Sequence, residues 1–89
     1  MNLPYIQSEL FRELVGMETL LKPEYELHVH KYSPDIQAHL WRKRDWSTVQ
    51  RFFINVKQIQ RSKKPDRISA EINRIWQAIP AECKKENAL

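Results

Sequence analysis

A chain of 89 residues, 42% hydrophobic and 29% charged, suits one small globular domain and excludes both a disordered chain and a two-domain protein. Its single cysteine, Cys83, excludes a disulfide framework and a cysteine-rich metal knuckle. The net charge of +4 is uneven: residues 1–30 hold two bases and five acids, residues 31–67 ten bases and three acids, and residues 68–89 three of each. Such asymmetry speaks about partners rather than fold.

The first segment, from about Pro4 to Leu21, carries Ile6, Leu10, Leu14, Met17 and Leu21 at helical spacing, with charged residues opposite. Pro4 suits a first turn, where its missing N–H is harmless. Gly16, the only glycine, weakens the helix or marks a close approach or an early end. Pro23 stops it.

Tyr25 to Lys31 and Ile36 to Arg42 each alternate apolar and polar residues, the period of a half-buried strand. Between them, Tyr32-Ser33-Pro34-Asp35 is turn chemistry. Folding the two runs about those four residues pairs Lys31 with Ile36, Val29 with Ala38, Leu27 with Leu40 and Tyr25 with Arg42. It also pairs His30 with Gln37, His28 with His39 and Glu26 with Trp41. One face then collects Tyr25, Leu27, Val29, Ile36, Ala38 and Leu40. The other collects Glu26, His28, His30, Gln37, His39 and Trp41. A slip of one residue would scramble both, so their agreement favours a β-hairpin over a helix starting at Ser33.

From Asp45-Trp46-Ser47-Thr48 onward, Val49, Phe52, Phe53, Val56 and Ile59 fit an amphipathic helix over about Trp46 to Arg61. A strand through Phe52, Ile54 and Val56 is the competing pattern, and the absence of a turn residue between Val49 and Ile59 favours the helix. A basic linker, Arg61 to Asp66, leads to a last helix ending near Ile79, before Pro80. The expected fold is therefore α+β: a small, mainly helical domain in the order helix–β-hairpin–helix–helix, with an all-α bundle as the alternative. Residues 1–80 form the compact domain, and 81–89 a frayed polar tail. The thin core of so short a chain leaves a homodimer open.

Catalysis finds little support. No serine sits in a glycine-flanked elbow, one glycine cannot build a phosphate-cradling loop, and the carboxylates of the first helix form a solvated face. The expectation is a non-enzymatic protein with no cofactor. His28, His30 and His39 share the hairpin's wet face at a spacing that could ligate a metal. Polar residues belong on such a face in any case, and no metal is expected.

The basic segment is more informative. Arg42, Lys43, Arg44, Arg51, Lys57, Arg61, Lys63 and Lys64 cluster on successive elements, and Trp41 offers a ring for base stacking. These residues predict a small DNA- or RNA-binding protein or accessory factor, with Trp46 half-buried. The alternative is a protein-interaction module or regulatory subunit whose basic strip meets an acidic partner protein. No stretch reaches the apolar length of a membrane span, and Met1 to Tyr5 lack the features of a signal peptide. A cytoplasmic protein without membrane contact is therefore expected.

Overall fold

The computed structural model describes residues 2–88, leaving Met1 and Leu89 outside the described part. Helix α1 spans Leu3–Met17 and strands β1, β2 and β3 span Tyr25–Tyr32, Asp35–Arg42 and Ser47–Ile54. The short helix α2 (Val56–Arg61) and helix α3 (Arg67–Ala78) follow. Single 3₁₀ turns lie at Glu18–Leu20, Ala81–Cys83 and Glu86–Ala88.

Helix α1 starts where Asn2 caps it, the Asn2 side chain accepting a hydrogen bond from the Tyr5 backbone N–H at 2.8 Å. Its stripe of Ile6, Leu10, Leu14 and Met17 is buried. The α-helix ends at Met17, and a 3₁₀ turn replaces the helical continuation expected to Leu21. Glu18 Oε2 accepts from the Leu27 backbone N–H at 2.9 Å, fastening this end to β1.

Strands β1 and β2 pair antiparallel in the register deduced from the two alternating runs, from Tyr25 with Arg42 through Lys31 with Ile36. The pairing continues to Tyr32 with Asp35, so only Ser33 and Pro34, joined by a cis peptide, remain as loop.

The expected helix over Trp46 to Arg61 is the main correction. Residues 47–54 instead form β3, which pairs antiparallel with β2 to give a three-stranded sheet of order β1-β2-β3. Arg51-Phe52-Phe53-Ile54 alternates: Phe52 and Ile54 are buried, while Arg51 and Phe53 are exposed. Two strands alone make a marginal sheet, and the third supplies backbone partners along one side of β2. Leu40 pairs with Gln50 and Trp41 with Thr48, so Val49 is the extra residue of a β-bulge.

No glycine makes the turn before β3. Trp46 takes a positive φ of 56°, and Asp45 Oδ1 accepts from the Ser47 backbone N–H (3.1 Å) and the Ser47 hydroxyl (2.8 Å). At the far end Asn55 switches strand to helix. Its side chain caps α2 by accepting from the Gln58 N–H at 3.1 Å, while Asp35 Oδ1 accepts from the Val56 N–H at 3.2 Å. The order is thus helix, three strands, short helix, helix, rather than helix, hairpin, helix, helix.

The helices lie on one face of the sheet. Helix α1 contacts β1 and β2, α2 contacts β2, and α3 packs on α1 and α2. Between the layers, Leu10, Leu14, Ile36, Leu40, Ile54 and Ile75 are fully buried. The segment expected to fray also packs. Cys83 is buried, Leu21 and Lys84 form an isolated β-bridge, and the Lys22 N–H donates to the Cys83 carbonyl at 2.8 Å. Lys84 Nζ lies 4.5 Å from the centre of the Trp76 ring.

Candidate nucleic-acid interface

With all helices on one side, the other face of the sheet is uncovered, and strand alternation decides what stands on it. Strand β1 contributes Glu26, His28, His30 and Tyr32. Strand β2 contributes Gln37, His39 and Trp41, and β3 contributes Arg51 and Phe53.

The rings that β1, β2 and the following turn place on this face form one connected array. His28 stacks on Trp41 with centroids 4.9 Å apart and planes at 14°. His28 meets His30 edge-on at 4.1 Å, and His30 reaches His39 at 6.0 Å and Tyr32 at 5.9 Å. Trp41 meets Trp46 edge-on at 6.0 Å, which extends the array into the β2–β3 turn. Trp46, Phe53 and Tyr32 are 59%, 57% and 53% exposed. Trp46 therefore stands in solvent rather than half-buried as the sequence predicted, because the positive-φ turn swings it away from the core.

The structure divides the predicted basic segment. Arg51 rises from β3 opposite His39, and Lys43 and Arg44 occupy the turn beside Trp46. Among the described residues these three cations have no carboxylate partner. Arg42 does: its Nε and Nη2 donate to Asp45 at 3.3 and 3.0 Å. That hydrogen-bonded pair, with Ser47, holds the Asp45 carboxyl well below its ordinary value of 3.8. Arg42 thus fastens the turn. Lys57, Arg61, Lys63 and Lys64 lie on α2 and the following loop, separated from the turn by the length of β3, about 25 Å at ~3.3 Å per residue. A continuous basic strip from Lys43 to Lys64 is not formed, because the helix expected to carry it is a strand running across the sheet.

The setting of His39 lowers its titration. Burial, the positive charge of Arg51 and the neighbouring His30 and His28 all lower it from 6.5. Its Nε2 lies 3.4 Å from Gln37 Oε1. Among the described residues no three His, Cys, Asp or Glu side chains converge in a way that could hold a metal ion, and His30 meets both His28 and His39 edge-on.

Sequence reasoning placed Trp41 and the histidines on one face. It missed that Phe53, Trp46 and Arg51 join them. The available signal was the alternation of Arg51 to Ile54, masked by the helical spacing of the same apolar residues.

On the helical side, an open groove between α1 and α3 is lined by Met17, Leu20, Ile68, Ile72 and Trp76, with Glu9 and Glu13 on its α1 wall. Among the described residues no helix is long and apolar enough to cross a membrane. Comparison of the chain with protein-family models, curated proteins and solved structures yields no match.

Proposed function

We propose that the uncovered sheet face binds unpaired DNA or RNA, and that the protein acts as a small non-enzymatic nucleic-acid-binding or accessory factor. The observation that supports this reading is the union, on the sheet face and its adjoining β2–β3 turn, of exposed rings and cations that have no carboxylate partner among the described residues. Base stacking on aromatic side chains is worth about 1–3 kcal/mol per base and tolerates any base, because every base has a π-face. A duplex hides those faces, so a ring-bearing sheet favours single strands. Trp41, Trp46 and Phe53 are the stacking residues, and Lys43, Arg44 and Arg51 meet the phosphates.

Counterion release gives this reading a number. Three cations on a single strand predict a slope of log K against log salt of about −2, or a roughly fifteenfold loss of affinity between ~50 and ~200 mM salt. Engagement of Lys57, Arg61, Lys63 and Lys64 as well would bring the slope to about −5. The test is fluorescence anisotropy with labelled thymine and uracil oligomers and a duplex of equal length. Single strands bound more tightly than the duplex, with the shallower slope, support the proposal. No binding at the lowest salt, or a preference for duplex, overturns it. Recovery of a nuclease-insensitive acidic protein partner in place of nucleic acid would move the function to the protein-interaction class.

A further inference from the structure

The imidazole cluster has no part in ordinary base stacking on the tryptophans and phenylalanine, yet it occupies the centre of the uncovered face. His28 and His39 are directly opposed across β1 and β2, His30 lies beside them, and Arg51 completes the row on β3. We propose that His28, His30, His39 and Arg51 form a phosphate seat for an unpaired strand, and that seating the phosphate is coupled to proton uptake by the imidazoles. This inference rests on the reading of the sheet face as a single-strand binding surface.

Burial of His39 first, and crowding by like charge second, supply the physical reason. The charged groups facing His39 are His28 and His30 from β1 and Arg51 from β3. In the free protein a proton on His39 meets an arginine and two imidazoles without a compensating carboxylate in the cluster. Burial opposes the charge as well, so the ring is held neutral below its ordinary range. The remaining titratable groups at strand positions of this face are Glu26, which pairs with Trp41, Tyr32 at the end of β1, and Asp35 opposite Tyr32, whose Oδ1 accepts from the Val56 N–H at 3.2 Å. A phosphate over the row turns the balance. It is attracted by Arg51 and favours the protonated imidazole, whose N–H groups then all donate. Proton binding and strand binding therefore reinforce each other, as linkage requires.

The sign follows directly. The bound state holds more protons than the free state through the imidazole range, so affinity rises as pH falls. Each proton taken up contributes at most about tenfold per pH unit. The experiment measures a thymine oligomer, whose bases do not titrate in this range, against the full chain at about pH 8 and pH 5.5 at fixed ionic strength. Circular dichroism confirms the fold at both values. The expected ratio of the two dissociation constants is about five or more for the unmodified protein, and falls below about two for the His30→Gln/His39→Gln double variant. The readout is the ratio, so a general loss of affinity in the variant does not imitate the result.

The outcomes separate. No binding at either pH defeats the single-strand reading itself. Binding with a ratio below about two in the unmodified protein defeats the proton coupling and leaves that reading standing. A ratio preserved in the double variant defeats the assignment to these imidazoles. Inorganic phosphate should weaken oligomer binding beyond the effect of chloride at equal ionic strength, and equal effects of the two anions would overturn the phosphate seat.

Discussion

Adjacent residues Phe52 and Phe53 separate stability from binding. Phe52 faces the helices and is 6% exposed, whereas Phe53 stands on the open face and is 57% exposed. Phe52→Ala removes a buried ring between sheet and helices and is expected to cost about 3–5 kcal/mol. Domains of this size are stable by about 5–15 kcal/mol, so the loss is a large share of the total. Phe53→Ser removes a ring already in water and is expected to change stability by no more than about 0.5 kcal/mol. Under the proposed function it also removes one stacking position, worth about 1–3 kcal/mol, so single-strand affinity is expected to fall by roughly five- to 150-fold. Urea unfolding followed by circular dichroism reads the first quantity, and anisotropy with a labelled thymine oligomer reads the second. If both substitutions destabilise by more than about 2 kcal/mol, both rings face the core, as an amphipathic helix would place them, and β3 is refuted. If Phe53→Ser stays folded and binds within about twofold of the unmodified protein, the ring has no stacking role.

Other expectations are simpler to check. Asp45→Ala removes the acceptor that orders Arg42 and Ser47 and lowers the thermal midpoint at neutral pH. Because the folded carboxyl titrates below 3.8, its contribution is fully present above about pH 5 and fades as pH falls, so the gap between variant and unmodified protein narrows below about pH 4. Burial pushes the Cys83 thiol up, with the charge of Glu82 adding to the effect, so a thiol reagent should react slowly in the folded state and quickly in denaturant. A chain ending at residue 80 should be measurably less stable than the full one, and equal stability would show that the C-terminal segment contributes nothing. Gly16 sits in α1 with nothing within 4 Å of where a Cβ would stand. Gly16→Ala should therefore stabilise the protein by about 0.5–1 kcal/mol, and a loss would point to packing at that position.

How much of this was legible depended on how many constraints each segment carried. The hairpin was readable because two alternating runs and a turn had to agree on one register, and only one register sorted both faces. Strand β3 was not. Val49, Phe52, Phe53, Val56 and Ile59 fall at helical spacing, yet they belong to three different environments: a bulge, a strand with two faces and a short helix. The punctuation between them is Asn55, whose capping role shows only once the chain is known to have been extended before it. The turn at residues 43–46 likewise lacks glycine, using a tryptophan at positive φ and an aspartate side chain instead. The site followed the same pattern. Trp41 and the histidines were placed together by the hairpin alone, whereas Arg51, Phe53 and Trp46 could join them only through β3. The basic segment looked continuous because the sequence does not reveal that Lys43 and Lys57 end up at opposite ends of a strand.

The most direct test of the sheet-face assignment is a heteronuclear NMR titration of the full chain with a short thymine or uracil oligomer. The predicted result is that chemical-shift changes concentrate on His28, His39, Arg51, Phe53 and the indole N–H groups of Trp41 and Trp46, with little change along α3. Changes confined to the groove between α1 and α3, or to the cations of α2 and its loop, would contradict it.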